Sequence, residues 1–381
     1  MIRKIIYSTR ILLFFSLILS LNLSFAQNCG PLTLDSISNP GEYTYGSLTE
    51  SDGIRNGPGY SGATIYYPTN ATPPFTGMVI VPGYVSPQSS IQNWGPFLAS
   101  HGIVTMTIGT NSFFDQPEDR RDALLDALIT LKEENIRSGS PLLGNLDITR
   151  LAVGGWSMGG GGAQLAAKTD TTLKAVMALC PWLNTSQLTA ADLNHPVPIL
   201  FFSGEYDGVA PPAAHADVHY NYTPFSTSKM LFEIASGNHS VANDPIGGGG
   251  YVGKIAVAWL KNFLVGDTCY CPLVLNTPPT ASKYLLNVNC STVLSIEEVI
   301  AQGKNVYQLS PNPCSGSIQL KVPNLVLGTN YQILSMTGAE VERGEILSQV
   351  TSIALHNLAP GIYLFNLRST ENSTQTRFIV Q

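Results

Sequence analysis

The chain has 381 residues, 44% apolar and only 12% charged, whereas an ordinary soluble domain is about 25% charged. That excludes disorder, which combines low hydrophobicity with high net charge, as well as collagen-like and heptad-repeat chains. With 20 Lys+Arg against 26 Asp+Glu the formal charge is −6, so there is no basic field to hold nucleic acid or anionic lipid.

The first stretch reads as a removable leader. Arg3, Lys4 and Arg10 precede an apolar run over 11–21 and then Ser24-Phe25-Ala26, the layout of a secretory signal peptide over residues 1–26. The run is shorter than the roughly 20 residues a membrane span needs. A secreted protein, extracellular or on the outer cell surface, is therefore expected, and its cysteines meet an oxidising compartment. Cys180, inside the run Ala175-Val-Met-Ala-Leu-Cys180, reads as a buried free thiol, and Cys314 stands alone. Cys29, Cys269, Cys271 and Cys290 remain, with three possible connectivities. Cys271–Cys290 closing a loop, with Cys29–Cys269 tying down the first residues, is the preferred one.

From residue 63 to 264 short apolar strands alternate with helical stretches. Thr76-Gly-Met-Val-Ile-Val81 runs into Pro82-Gly83, and Ile103-Val-Thr-Met-Thr-Ile108 is a β-branched run. Pro117 opens a helix with Leu124, Leu128 and Leu131 on one stripe. Leu151-Ala-Val153 leads to Gly154-Gly155 and a Gly/Ala-rich helix; strands follow at 173–179, 197–202 and 230–234, and an amphipathic helix at 251–264. Such alternation predicts an α/β domain over 27–292, a mostly parallel sheet covered by helices on both faces. After a linker at 293–304 the pattern becomes all β, with strands at 315–322, 331–335, 353–355 and 361–367, and predicts a small β-sandwich over 305–381. Ser310-Pro-Asn-Pro313, Gly338 and Leu358-Ala-Pro-Gly-Ile-Tyr-Leu364 resemble the C-terminal sorting domain of type IX secretion, which implies that secretion machinery as a partner. A generic accessory β-domain is the alternative.

The chemistry centres on Gly155-Trp156-Ser157-Met158-Gly159, placed between a predicted strand and a predicted helix. That is the context of a nucleophile elbow, whose turn is too tight for side chains two positions either side of the serine. Ser157 would stand at a helix N-terminus, where unpaired N–H groups favour negative charge. A serine needs a base and a group that orients it, in the chain order serine, acid, histidine. Asp207 follows the strand at 197–202, with Glu205 as its competitor, and His239 sits in a Gly/Asn turn after the strand at 230–234. The backbone N–H groups of Met158 and Tyr84 are the expected oxyanion donors. Tyr84 and Trp182 lie at strand carboxyl ends, where aromatic walls suit a flat acyl group. His215 and His219 are spaced for a metal, but with no third ligand or HExxH they read as a solvated helix face. His101 reads as a cap or turn, and His195 stands before Pro196 at a strand entrance. No metal or organic cofactor is expected.

Pro82-Gly-Tyr84 with Gln88-Ser-Ser-Ile91 and Trp94-Gly-Pro96, the run from Gly155 to Gly162, Pro181-Trp182, Asp207 with Ala210-Pro211, and His239-Ser240 with Ala242-Asn243 resemble bacterial cutinase-like polyesterases. These include poly(ethylene terephthalate) hydrolases. The resemblance implies an α/β-hydrolase fold and catalytic role for 27–292, with Ser157, Asp207 and His239 as triad, Tyr84 and Met158 as oxyanion donors, and Trp182 with Tyr84 clamping an aromatic ring. It places Gln88, Trp156 and Val209 along the acyl cleft, and makes 243–251 a loop beside the catalytic histidine that is extended in some members. Some members join the acid and histidine loops by a disulfide; the matching positions here are Gly204 and Val241, so more mobile loops are expected. Over 27–303 the chain carries 12 Lys+Arg against 22 Asp+Glu, a net −10, which predicts weak adsorption to a negatively charged polymer. The expected activity is ester or polyester hydrolysis by a monomer. A lipase or small-ester esterase, and a surface binding module with a hydrolase shell, are the alternatives.

Overall fold

The structure is a computed structural model that describes residues 29–288, 290 and 307–381, apart from 323–324, 326–327, 336–338, 356–357 and 369–372. The expected leader (1–26) and linker (293–304) lie outside the described residues. The chain separates into two units, Met1–Thr292 and Val293–Gln381.

In the first unit β1 (Tyr45–Thr49), β2 (Ala63–Pro68) and β3 (Phe75–Val81) are followed by α1 (Trp94–Ser100), β4 (Ile103–Ile108) and α2 (Pro117–Glu134). Then come β5 (Leu146–Trp156), α3 (Met158–Thr169), β6 (Ala175–Leu179), β7 (Ile199–Gly204), α4 (Ala216–Tyr222), β8 (Lys229–Ile234), α5 (Tyr251–Leu260) and β9 (Ala281–Asn287). They form one nine-stranded sheet in the order β1-β2-β4-β3-β5-β6-β7-β8-β9. From β4 to β8 neighbours run parallel, while β1, β2 and β9 pair antiparallel at the margins. The parallel strands read as continuous apolar runs because both their faces are covered. One face packs Val79, Val153 and Phe201 against Leu124, Leu128 and Ala163 of α2 and α3. The other packs Ile80, Met177 and Phe232 against Trp94 of α1 and Ile255 and Trp259 of α5. The marginal strands were not foreseen, since Tyr45–Thr49 buries only Leu48, Ala63–Pro68 only Ala63, Ile65 and Pro68, and neither carries a long apolar run.

The cysteines pair as Cys29–Cys269 and Cys271–Cys290, and Cys180 and Cys314 are free and buried. The first bridge and a salt bridge from Asp35 to Lys254 fasten the segment before β1 to the elements around α5.

The second unit has β10 (Gln308–Ser315), β11 (Ser317–Lys321), β12 (Asn330–Ser335), β13 (Glu340–Glu345), β14 (Val350–Ala354), β15 (Gly361–Arg368) and β16 (Ser373–Val380). The strand order is β13-β12-β15-β16-β10-β11-β14, joined across the middle by the single pair Cys314↔Val380. Ile318, Ile333, Ile353, Phe365 and Phe378 share one core. β10, β13 and β16 exceed the sequence expectation. Pro311 and Pro313 argue against a strand, but β10 takes them in a bulge where its register shifts between Ser310 and Ser315.

Candidate active site

The carboxyl ends of β3, β5, β6, β7 and β8 converge on Ser157. At the end of β5 the chain reverses within one residue: Ser157 has φ 56° and ψ −120°, and α3 starts at Met158. The strain holds because the flanks leave no alternative. A Cβ on Gly155 would lie 2.4 Å from the Gly159 backbone, and one on Gly159 2.6 Å from the carbonyl oxygens of Val81 and Pro82. Gly161 and Gly162 are equally confined, by Trp182 and by Pro117 with Arg120. The glycine run therefore lets each surrounding loop touch the first turns of α3.

Ser157 is buried, with its Oγ 2.9 Å from Nε2 of His239. On the far side of the ring, Nδ1 lies 2.7 Å from Oδ2 of Asp207. The other Asp207 oxygen accepts the N–H groups of Val209 (2.9 Å) and Ala210 (2.8 Å). Burial raises the Asp207 carboxyl, but the His239 hydrogen bond and these two amides outweigh it and hold the pKa below the ordinary value. Asp207 thus stays ionised, and its fixed position selects the tautomer with hydrogen on Nδ1, leaving Nε2 free to take a proton from Ser157.

Glu205, the competing acid, is exposed and accepts the N–H of Ser236 at 2.7 Å. That bond, with Tyr206 N–H to Gly237 O at 2.7 Å, ties the acid and histidine loops. A Cβ on Gly204 would fall 2.4 Å from the Asn238 carbonyl oxygen, so a cysteine there would have no room. A side-chain and a backbone hydrogen bond join these loops where some relatives are expected to use a disulfide.

Met158 begins α3, where a first-turn N–H has no intrahelical partner. The N–H of Tyr84 likewise has no partner among the described residues. Its neighbour Val85, at φ 51°, donates to the Phe113 carbonyl at 2.8 Å. Around these donors stands an aromatic rim. Tyr84 meets Phe114 edge-on at 5.8 Å, and Trp156 donates from its indole nitrogen to the His239 carbonyl at 2.8 Å. Val209 is exposed beside Asp207, and Trp182 stacks on His215 at 5.8 Å and 27°. Gln88 differs in kind, because its amide nitrogen is spent on Thr107 (carbonyl 2.9 Å, hydroxyl 3.0 Å) and Thr64 (3.2 Å).

The histidine pair departs from the expected solvated face. His215 is half-buried against Trp182, and burial lowers its pKa. His219 is wholly buried, pushed down to about 3 by burial, with Nδ1 against the Gln164 side-chain oxygen. Helix α4 packs this face on α3 and β7, which no local pattern announces. Among the described residues no cluster of His, Cys, Asp or Glu could hold a metal. Phe113 and Phe114 also went unnoticed; two bulky apolar residues in a polar loop after a strand were the available signal.

Comparisons with known proteins agree in extent with the two units. Residues 36–291 match a family model described as PET hydrolase-like, and residues 305–381 match a secretion system C-terminal sorting domain. The chain is 38% identical over 220 residues to a bis(hydroxyethyl) terephthalate hydrolase of Streptomyces coelicolor, covering 56% of this chain and 67% of that protein. It is 36% identical over 250 residues to cutinase 1 of Thermobifida cellulosilytica, covering 64% of this chain and 90% of the relative. A cutinase of Thermobifida fusca is also 36% identical over 250 residues, covering 64% and 78%. With the family model matched across nearly all of the nine-stranded unit, the chain belongs to the PET hydrolase-like family and is a carboxylic ester hydrolase.

Proposed function

We propose that the protein is a secreted serine hydrolase that cleaves polyesters or aromatic and aliphatic esters through an acyl-enzyme on Ser157. The observation that carries the reading is the imidazole of His239 spanning Ser157 at 2.9 Å and Asp207 at 2.7 Å. As Ser157 Oγ attacks the ester carbonyl, His239 Nε2 takes its proton and Asp207 stabilises the resulting imidazolium. The carbonyl oxygen becomes an oxyanion, for which the N–H groups of Met158 and Tyr84, free of other partners among the described residues, are the donors. Collapse expels the alcohol, which leaves with the proton from His239. Water then attacks the acyl-enzyme by the same route in reverse and releases the acid.

Tyr84, Phe114, Trp156, Trp182 and Val209 supply apolar and aromatic surface beside Ser157, which suits a flat acyl group such as a terephthaloyl unit. The Gln88 amide is committed to the sheet, so its contribution to the cleft is its position and its remaining oxygen. Residues 305–381 serve export through type IX machinery and take no part in the chemistry, and the enzyme acts as a monomer.

The test is Ser157→Ala in folded protein. Hydrolysis of p-nitrophenyl butyrate and labelling by an organophosphate should both disappear; activity near wild type overturns the reading. Turnover of bis(hydroxyethyl) terephthalate beside a long-chain triglyceride then decides substrate class, a strong preference for the triglyceride favouring a lipase.

A further inference from the structure

Among the buried side chains described, Arg120 is the only lysine or arginine whose polar atoms all lack a hydrogen-bond partner. It is wholly inaccessible, and its Nε, Nη1 and Nη2 are each unsatisfied. Burial lowers its pKa to about 10 against the pull of the Asp115 and Asp119 carboxylates, so it remains charged at neutral pH. Neither carboxylate bonds to it: Asp115 accepts the Ser112 N–H at 3.1 Å and Asp119 the Gln116 N–H at 2.8 Å. Glu118, on the same turn of α2, is engaged by Gln187. An unpaired guanidinium is costly to bury, and an apolar side chain of similar size would cost less.

Its place in the fold suggests what the charge does. The first turn of α2 lies directly against the helix that Ser157 begins. A Cβ on Gly162 would come 2.9 Å from the Arg120 Cβ and 2.8 Å from the Pro117 carbonyl oxygen. Gly162 is four residues past Met158, about 6 Å along the helix axis. A side chain on a helix leans toward the helix N-terminus, and that end of α2 leaves the same loop whose Phe113 carbonyl holds Val85 beside Tyr84. Interactions of buried charges decay slowly with distance and are little screened.

We propose that Arg120 is a positioning residue for ester hydrolysis: its buried charge, behind α3, biases the site toward the tetrahedral oxyanion over the neutral ester. The proposal rests on the acyl-enzyme reading above. A neutral substrate feels the charge weakly and the anionic intermediate feels it strongly, so the effect belongs to kcat and not to KM. It adds to the α3 dipole, which has the same sign at Ser157.

The experiment uses the full chain with Arg120→Met, Arg120→Gln and Arg120→Lys. Methionine and glutamine should leave the melting temperature unchanged or higher and lower kcat on p-nitrophenyl butyrate about tenfold at similar KM. Lysine, which keeps the charge, should retain most of kcat. Phenylboronic acid, which binds a serine hydrolase as a tetrahedral anion, should lose affinity in parallel with kcat. Wild-type kcat in the methionine and glutamine variants, a change confined to KM, or an equal loss with lysine overturns the proposal. Should the methionine variant fail to fold, the glutamine and lysine pair decides by the same criteria. Ser157→Ala is measured alongside: an active Ser157→Ala breaks the acyl-enzyme reading, whereas wild-type kcat in Arg120→Met beside an inactive Ser157→Ala breaks only this inference.

Discussion

The two units of this chain are both built on sheets, yet they distribute strain in opposite ways. In the catalytic unit β3, β4, β6, β7 and β8 are buried along their whole length, whereas β11 in the sorting unit alternates buried and exposed residues. Among the described residues four non-glycine side chains take left-handed φ: Val85 (51°), Ser157 (56°), Cys180 (44°) and Ser236 (57°). All four follow carboxyl ends of catalytic strands, β3, β5, β6 and β8, and none lies in the sorting unit. A sheet packed on both faces can over-determine the turns at its ends, and that is where reactive groups can be held off their relaxed conformations. A small sandwich with half-exposed strands has no such reserve, and among its described residues no non-glycine takes a left-handed φ.

The sharpest way to break this contrast is at the acid. Asp207→Asn keeps the shape but offers the wrong partner to His239, and kcat should fall by about 10⁴ while folding is retained. Glu205→Gln, two residues away and with a side chain bonded only to Ser236 among the described residues, should change kcat by no more than a few-fold in the same p-nitrophenyl ester assay.

A smaller effect tests the over-determined turn itself. Gly159→Ala places a methyl 2.6 Å from two carbonyl oxygens, and overpacking of this kind costs about 1–3 kcal/mol or more. Calorimetry should show the catalytic unit melting several degrees lower. Gly316→Ala in the sorting unit has open space but a φ of 72°, so it should cost only the left-handed penalty of about 1 kcal/mol. Equal losses at the two sites would remove the distinction.

Asp207 also makes a pH prediction. Its folded pKa lies below the ordinary 3.8, so its stabilising contribution is complete above that value and is lost as pH falls through the lower, folded pKa. The melting temperature of wild type should fall more steeply below about pH 4 than that of Asp207→Asn. The smallest effect expected is from ending the chain at residue 304: kcat on a soluble ester should stay within about twofold, since each unit has its own core. A large loss there would mean that the sorting unit contributes to catalysis.

Much of the parallel sheet could be read from the sequence, because strands buried on both faces are near-continuous apolar runs bounded by glycine and proline. The marginal strands escaped, as half-exposed pairs such as Tyr45–Thr49 with Ala63–Pro68 carry no such run. Ser157 was readable because a tight elbow demands glycine at 155 and 159, a local requirement that leaves a local mark. His215 and His219 were misread because their four-residue spacing says only that they share a helix face. Burial of that face depends on where α4 lands, against Trp182, Gln164 and Phe201.

The sequence by itself determined the order of elements, the covered parallel sheet, the strained serine and the histidine that follows β8, since each rests on sterics or periodicity within a few residues. Only the tertiary structure put Asp207 and not Glu205 against His239, closed Cys29–Cys269 out of the three connectivities open to the sequence, turned Gln88 into the sheet and left Arg120 without a partner among the described residues. Each of those outcomes depends on groups tens or hundreds of residues apart meeting at one distance and angle, and no local pattern encodes that.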